Sequence, residues 1–391
     1  MPRPYRIFLA VLLLTLAQLT GTARAANDNP IVLVHGFLGF GPDQFPRSGY
    51  LYWGGYGDLA AHLRSYRGPH TVFTATVGAI ASNRERAAEL YAQLKGGCVD
   101  YGPRRRATGT ADKAVQCWAA DPANNPMGYP PALYPAWDAA HPLHMIGHSQ
   151  GGTTLRALVE LLEHGDPQAG DGELYRGGKF GWIRSVTTIS APHNGTTLRD
   201  AVLDILPELQ SPLRDWLLAD LANWELAPDG ARSFNAWART SPGVYYFSVG
   251  TVATEAGAPC CNDTDRRIAP LQNRRYQYPR NDMFAYYKTY AGEWIVPSML
   301  QHGMGGYTQD APGRVRVDAA WFANDGVVST SSMRAPAGHP VRDFDGTPLP
   351  GTWNFLGNYR GYDHFDILNW PNKGPPAEPV YERISDILFA L

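Results

Sequence analysis

The pentapeptide Gly147-His148-Ser149-Gln150-Gly151 is the part of the sequence whose residue types and spacing most directly suggest chemistry. A Gly-x-Ser-x-Gly pattern between a strand and a helix is typical of a nucleophile elbow, where the serine occupies a sharp, strained turn. An apolar run precedes the motif, and apolar residues recur at helical spacing after Gly152. The glycines allow the strand and the helix to approach closely. We therefore predict that Ser149 is a nucleophile; a solvated serine in a glycine turn is the alternative.

A serine hydroxyl attacks at neutral pH only when a base takes its proton. After this motif, the acid and then the histidine follow along the chain. His364 lies late in the sequence, ahead of a predicted last helix over Val380–Leu391, and is the predicted base, with His302 as the alternative. His164 falls on the helix that follows the serine, too near in sequence to return to it, whereas His193 follows a predicted strand and could line the cleft.

The acid is expected between the serine and the histidine. Asp325 follows an apolar stretch and precedes Gly326. A carboxylate at such a strand end can hold the imidazole of His364 in the right tautomer and stabilise its cation. An ordinary Asp-Gly turn is the alternative interpretation, and Asp345 and Asp363 are weaker candidates for the acid.

A glycine-rich turn from His35 to Gly41 directly follows the apolar run Ile31–Val34. Backbone N–H groups in such a turn can stabilise an anion. No helix with a phosphate-binding fingerprint follows, which argues against a nucleotide site. The turn is therefore predicted to supply an oxyanion hole.

β-Branched runs alternate with helical patterns, and no internal repeat is present. This order predicts an α/β sandwich with a mostly parallel sheet. The predicted strands are Ile31–Val34, His70–Val77, the run before Gly147, Ser185–Ala191 and Val244–Val249. The predicted helices are a stretch from Leu59 to Tyr66, Asn83–Leu94, the helix after Gly152, and Val380–Leu391.

Three stretches interrupt this alternation. Residues 96–142 are rich in glycine, proline and alanine and predict a long surface loop. Leu198–Trp224 carries many leucine and tryptophan residues at helical spacing, which suggests a lid near 198–240 that covers the active site, core helices being the alternative. Residues 255–315 are irregular and polar.

The first 25 residues have the features of a secretory signal peptide. Arg3 and Arg6 precede an apolar run over Ile7–Leu19, and Ala23-Arg24-Ala25 supplies a cleavage site. A membrane anchor is the alternative, but the run is short for a membrane span. We therefore expect residues 26–391 to form a single secreted domain without stable membrane insertion. A net charge of −2 and the lack of a basic stripe argue against a nucleic-acid partner.

An exported chain with four cysteines is expected to form disulfides. Three pairings are compatible with four cysteines. The pair Cys98–Cys117 is favoured, and Cys260–Cys261 would form a strained vicinal bridge.

Several motifs, in the same order, resemble those of the family I.5 bacterial lipases, the thermophilic Bacillus and Geobacillus type. They are Ile31–Gly39, Tyr52–Gly55, Ser82–Gly102, the elbow, Ser185–Leu198, Asn324–Ser329 and Asp363–Ile367. The likeness is densest from Pro30 to Leu198. It implies an α/β-hydrolase fold with helices on both faces of the sheet, a helical lid, and a triad of Ser149, Asp325 and His364. It also implies that the backbone N–H groups of Phe37 and Gln150 form the oxyanion hole.

The chain departs from this family at both of its metal sites. The family's zinc ligands are two histidines and two aspartates, but Pro103–Gly128 contains no histidine and Glu85 stands at the first aspartate position. We therefore expect no zinc, and we expect the Cys98–Cys117 disulfide to stabilise the same region. Asp366 matches an acidic calcium ligand of the family, whereas the Asp-Pro that follows there is not reproduced cleanly. A structural calcium ion at Asp366 is thus compatible with the sequence, and catalysis itself requires no cofactor.

These observations predict a secreted serine ester hydrolase, and specifically a triacylglycerol lipase that acts on a lipid or ester substrate at an interface. A carboxylesterase or a polyester depolymerase is the alternative within enzymes. A non-catalytic lipid-binding protein on a hydrolase scaffold is the alternative outside them.

Overall fold

The computed structural model describes residues 27–391 except 46–47, 103–115, 170–171, 199, 201–224, 254, 257–275, 278–303, 305–306 and 371–374. The expected signal peptide, the Cys260–Cys261 pair and His302 lie outside the described residues. The same is true of most of the expected lid. Among the described residues, no helix is both long and apolar enough to cross a membrane.

A seven-stranded sheet forms the centre of the fold, and every pairing between its neighbouring strands is parallel. The strands are β1 (Ile31–Val34), β2 (Val72–Ala75), β3 (Leu143–His148), β4 (Ile183–Ile189), β5 (Tyr245–Val252), β6 (Val341–Asp343) and β7 (Trp353–Arg360). Their order across the sheet is β6-β7-β5-β4-β3-β1-β2. Two short antiparallel pairs lie outside this sheet: Gly97–Cys98 with Cys117–Trp118, and Glu255–Ala256 with Tyr276–Gln277.

Strand β1 shows why helices cover both faces of the sheet. All four of its side chains are buried, and they alternate between two hydrophobic clusters. Ile31 and Leu33 belong to one cluster, whereas Val32 and Val34 belong to the other. Because successive side chains of a strand point to opposite faces, a fully apolar strand needs cover on each side.

Five α-helices lie in the described part of the chain. They are α1 (Leu59–Ser65), α2 (Asn83–Lys95), α3 (Gln150–His164), α4 (Pro228–Trp237) and α5 (Glu378–Phe389). Apolar residues of α2 and α3 pack in the cluster with Val32, and those of α1 and α5 pack in the cluster with Ile31. The two helix layers therefore cover opposite faces of the sheet.

Helix α2 begins with a capping box. The Ser82 hydroxyl accepts a hydrogen bond from the backbone N–H of Glu85, and the Glu85 carboxylate accepts one from the N–H of Ser82. This arrangement satisfies two N–H groups that the helix itself leaves without acceptors. Glu85, at the position where the resembled family has a zinc ligand, thus has a structural use in this chain.

The predicted strands over residues 31–34, 70–77, 185–191 and 244–249, and the predicted helices, are confirmed with end points that shift by a few residues. The sequence patterns assign no strand to β6 or β7. Strand β7, with the sequence WNFLGNYR, contains three aromatic residues, which favour a strand, but also two asparagines, a glycine and no β-branched residue, so its composition gives a mixed signal. It forms because Trp353 and Phe355 are buried beside β5.

The prediction of a surface loop over residues 96–142 is wrong for part of that stretch. Trp137 is fully buried in the core, and its indole N–H donates to the backbone oxygen of Trp182 at 2.8 Å. The prediction of a disulfide between Cys98 and Cys117 is confirmed, and the two residues face each other in the short antiparallel pair. Because the sequence around Trp137 has no helical or strand periodicity, it gave no indication that this tryptophan is buried.

Replacing both Cys98 and Cys117 by serine should lower the free energy of unfolding by about 3 kcal/mol, because the open chain gains the entropy of a loop of this length. Urea unfolding of the variant and of the oxidised wild type measures the difference. Reduced wild type is the control and should behave like the variant. Equal midpoints for all three proteins would contradict the prediction.

Two buried histidines make the fold sensitive to acid. Burial, with nearby Arg86 and Arg184 respectively, lowers the pKa of His35 and of His144 to about 3 in the folded state. In the unfolded chain, both histidines have a pKa near 6.5. The unfolded state therefore binds more protons than the folded state between pH 6.5 and pH 3. The free energy of unfolding therefore has its full value above about pH 6.5. As the pH decreases below this value, it falls by up to about 1.4 kcal/mol per pH unit for each of the two histidines.

Urea midpoints at pH 7.5 and pH 5.5 test this expectation. The buried His144 ring is hydrogen-bonded to Ser185 and Asn27, whereas His141 is exposed beside Asp138. His144→Gln should reduce the dependence of the midpoint on pH, and His141→Gln should leave it as in the wild type. A wild-type midpoint that is the same at both pH values would refute the account.

Candidate active site

Ser149 occupies the turn between β3 and α3, as the motif predicts. Its backbone has φ 56° and ψ −129°, a conformation that a residue with a side chain rarely adopts. The backbone N–H of Ser149 donates to the Ile189 oxygen at 2.9 Å, which ties the turn to the end of β4. The side chain is 7% exposed and gives no capping hydrogen bond to the helix. The strained turn therefore positions a hydroxyl that has no capping role.

The glycines of the motif are required by close contact. A Cβ atom on Gly151 would lie 2.1 Å from the Val34 oxygen of β1, and one on Gly147 would lie 2.5 Å from the backbone of Gly151. A Cβ on Gly152 would lie 2.7 Å from the Cβ of Ala191. Real Cβ atoms do not approach neighbouring atoms this closely, so these positions exclude a side chain.

The structure brings Asp325 and His364 together, although they are 39 positions apart in the sequence. Asp325 Oδ2 and His364 Nδ1 are 2.8 Å apart, and both side chains are almost completely buried. The backbone N–H of His364 also donates to the backbone oxygen of Asp325 at 3.0 Å. The backbone oxygen of His364 in turn accepts from His148, the neighbour of Ser149. The pair thus lies beside the turn that carries the serine.

The Asp325 carboxylate is held by donors on both oxygens. Oδ1 accepts the backbone N–H groups of Val327 and Val328, at 3.0 and 2.8 Å. Oδ2 accepts the hydroxyl of Thr251 at 2.7 Å in addition to its contact with His364. These bonds fix the carboxylate plane, which fixes the imidazole against it. Sequence reasoning missed Thr251; its position at the end of a predicted strand was the available signal.

Phe37 and Gln150, the two predicted oxyanion donors, lie at the ends of neighbouring strands. Gln150 is the first residue of α3, where backbone N–H groups have no acceptor within the helix. Phe37 lies in the turn after β1, and the next residue, Leu38, has φ 54°. A Cβ on Gly36 would lie 2.7 Å from the Cβ of Ser149, so this turn packs directly against the serine.

The buried guanidinium of Arg86, on α2, holds the turn that contains Phe37. It donates to the backbone oxygens of His35, Gly36 and Gly78 and, at 2.8 Å, to the Thr154 hydroxyl of α3. Burial lowers the pKa of Arg86 to about 10, so the group still carries its charge at neutral pH. Charged donors to carbonyl oxygens make strong hydrogen bonds. Sequence reasoning missed Arg86, because a helical pattern does not reveal a buried arginine.

The weaker candidates have other contacts. Asp345 is exposed and forms an ion pair with Arg342. Asp363 accepts the backbone N–H groups of Phe365 and Asp366, and so orders the turn after the histidine. The His193 side chain is fully buried against Trp353, and His164 lies beside Glu163 at the end of α3.

Residues 27–205 match the model of the family described as "Lipase-like, C-terminal domain". The lipase of Staphylococcus hyicus is 28% identical, over 93% of this chain and 58% of its own length. The chain thus spans about half the length of the curated relatives it matches, with 58% and 50% for two of them.

Two solved structures resemble the chain over nearly all of their own length. EstA from Clostridium botulinum superposes with a TM-score of 0.73 and 28% identity, over 96% of this chain and 90% of that chain. Lipase 1 from Pelosinus fermentans gives a TM-score of 0.69 and 29% identity, over 93% of this chain and 99% of that chain. The parallel sheet with its two helix layers fits an α/β-hydrolase-like fold. The chain is therefore similar to bacterial lipases in sequence and in fold over most of its length.

Proposed function

We propose that the chain is a carboxylic ester hydrolase, and specifically a triacylglycerol lipase, which uses Ser149, His364 and Asp325. The observation that carries the proposal is the buried hydrogen bond between Asp325 and His364 beside the strained turn of Ser149. The similarity to bacterial lipases supports the same chemistry.

In this mechanism, the Ser149 oxygen attacks the ester carbonyl while His364 takes the hydroxyl proton. Asp325 orients the imidazole and stabilises its positive charge. The N–H groups of Phe37 and Gln150 stabilise the oxyanion that forms. The protonated His364 then gives its proton to the leaving alcohol, and an acyl-serine remains. Water, deprotonated by His364, attacks the acyl group, and the acid leaves as Ser149 regains its proton.

The substrate class is inferred from the insertion. We propose that the apolar stretch Leu198–Trp224 acts as a helical lid that meets a lipid interface, as in the family I.5 lipases. We also propose that the chain is a member of that family. Secretion is proposed with it, supported by the signal-like leader and by a disulfide, which persists in oxidising compartments.

Metal ions have no part in the proposed reaction. The Asp366 carboxylate accepts the backbone N–H of Asp363, and among the described residues no cluster of three or more metal-ligating side chains occurs. We propose that the chain binds no zinc, and that any calcium at Asp366 is structural. Metal analysis of the purified protein tests both points, and stoichiometric zinc would refute the first.

The substrate class can be tested with three kinds of ester: emulsified long-chain triglyceride, the soluble ester p-nitrophenyl butyrate, and a polyester film. A lipase should release fatty acid fastest from the emulsion. Faster hydrolysis of the soluble ester would instead indicate a carboxylesterase, and faster erosion of the film a polyester depolymerase. A protein that hydrolyses none of the three while it binds the emulsion would be a lipid-binding protein, and the proposal would fail.

A further inference from the structure

A buried tyrosine, Tyr52, lies between the turn after β1 and the end of β3. Its side chain is fixed by aromatic neighbours, with ring centroids 5.4 Å from Trp53 and from Trp370 and 5.8 Å from Phe40. The indole N–H of Trp370 also donates to the backbone oxygen of Tyr52 at 2.8 Å. The phenol oxygen is therefore held at one position in the core, and the residue is only 5% exposed.

The hydrogen bonds of this phenol assign its proton. The backbone N–H of Gly36 lies 2.8 Å from the phenol oxygen, and a backbone N–H can only donate. The phenol proton is therefore available for His148 Nδ1, which lies 2.6 Å away. His148 Nδ1 must then be the acceptor of the ring, so the ring proton is on Nε2. His148 Nε2 lies 3.0 Å from the His364 backbone oxygen, an acceptor, which agrees with this assignment.

The three hydrogen bonds, as assigned, require that the His148 ring and the Tyr52 phenol are both neutral. Burial lowers the pKa of His148 well below its ordinary value, helped by the neighbouring His364 and His35. Burial likewise raises the pKa of Tyr52, opposed by the Gly36 hydrogen bond and by Arg86. Both groups thus keep the protonation states that the geometry demands.

The three segments joined in this way are the ones that the proposed reaction uses. Gly36 precedes Phe37, His148 precedes Ser149, and the His364 backbone carries the base itself. Contact between the segments is direct, because a Cβ on Gly36 would lie 2.9 Å from the Tyr52 phenol oxygen as well as 2.7 Å from the Ser149 Cβ. A shift of the phenol would therefore move the turn that carries Phe37 relative to the serine.

We propose that Tyr52 is a positioning residue for ester hydrolysis: its hydroxyl fixes the tautomer of His148 and holds the Gly36–Phe37 turn in place against Ser149 and His364. The inference rests on the proposed function. Tyr52 touches none of the reacting atoms, and its effect passes through Gly36 and His148.

The variant Tyr52→Phe removes only the hydroxyl. We expect kcat on p-nitrophenyl butyrate to fall about 10- to 100-fold, with KM changed less than about two-fold, because the loss affects the transition state through the position of the oxyanion donors. Tyr246→Phe is the matched control. Tyr246 is equally buried, and its phenol oxygen also accepts one backbone N–H, that of Ser241, but among the described residues its phenol makes no hydrogen bond to a residue of the site. The control should keep the kcat of the wild type.

Wild-type kcat in Tyr52→Phe, or an equal loss in Tyr246→Phe, would overturn the proposal. The proposed function is tested separately by Ser149→Ala. If the wild type hydrolyses the ester and Ser149→Ala does not, either result with the tyrosine variants refutes only the role of Tyr52 and leaves the proposed function intact. The tautomer of His148 is a second readout that needs no folded Tyr52 variant. ¹⁵N-histidine spectra of the wild type, with the signal assigned from His148→Gln, should show the proton on Nε2; a proton on Nδ1 would refute the proposal.

Discussion

Replacing Ser149 by alanine should abolish ester hydrolysis, with a loss in kcat of about 10⁶-fold, since removal of a serine nucleophile leaves only binding and the oxyanion donors. The fold should persist. The Ser149 side chain gives no capping hydrogen bond to α3, and alanine, like serine, carries a Cβ atom, so the substitution adds no bulk to the strained turn. The free energy of unfolding is therefore expected to change by less than about 0.5 kcal/mol.

Ser385→Ala is the matched control for this variant. Ser385 is a buried serine on α5 whose hydroxyl has no hydrogen-bond partner among the residues that the structure describes. Both variants should unfold at nearly the wild-type urea concentration, but only Ser149→Ala should lose hydrolysis of p-nitrophenyl butyrate. A Ser149→Ala protein that is folded and as active as the wild type would contradict the assignment of the nucleophile.

Asp325→Asn should lower kcat by about 10⁴-fold without unfolding the protein. The backbone N–H groups of Val327 and Val328 select an oxygen at the position of Oδ1. The new amide nitrogen must then take the place of Oδ2, where it faces His364 Nδ1 and donates to it. This contact stabilises the imidazole tautomer with its proton on Nε2, which cannot accept the proton of Ser149.

Asp345→Asn is the control, since the exposed Asp345 is one of the two weaker candidates for the acid, with Asp363. It should retain full activity. Steady-state rates on a soluble ester over pH 6 to 9 compare the two variants with the wild type. The assignment of the acid would be contradicted if Asp325→Asn were nearly as active as the wild type, or if Asp345→Asn were as defective as Asp325→Asn.

Those parts of the site that depend on local sequence could be predicted. The elbow was predictable because glycine spacing, an apolar run before Gly147 and helical periodicity after Gly152 all lie within one short segment. The partnership of Asp325 with His364 followed from their order along the chain, and the structure places them in hydrogen-bond contact. Both expectations rest on the chemistry of serine activation rather than on tertiary detail.

Residues that act through distant contacts could not be predicted. Tyr52 meets His148 across 96 positions, Arg86 reaches the His35 oxygen across 51, and Thr251 reaches Asp325 across 74. Each is a polar residue in an otherwise ordinary strand, turn or helix pattern. Only the fold reveals that its polar atoms are buried and where their hydrogen bonds go.

Strands β6 and β7, at one side of the sheet, were missed for a related reason. Strand β7 contains Asn354 and Gly357, and its side-chain pattern is weak. Asn354 is fully buried, however, and donates to the backbone oxygens of Tyr246, Leu349 and Thr352. Its amide thus satisfies carbonyl groups beside the neighbouring strand β5, a role that depends on tertiary pairing and not on propensity.

Covalent labelling with a fluorophosphonate tests directly whether Ser149 is an activated nucleophile. Attack of an activated serine oxygen on phosphorus expels fluoride and leaves a stable phosphonylated serine, whatever the natural ester. We expect complete labelling at one site, located by mass spectrometry in the peptide that contains Ser149, with parallel loss of ester hydrolysis. Ser149→Ala should remain unlabelled. Absence of labelling in an active wild-type protein, or labelling at another residue that inactivates the enzyme, would contradict this expectation.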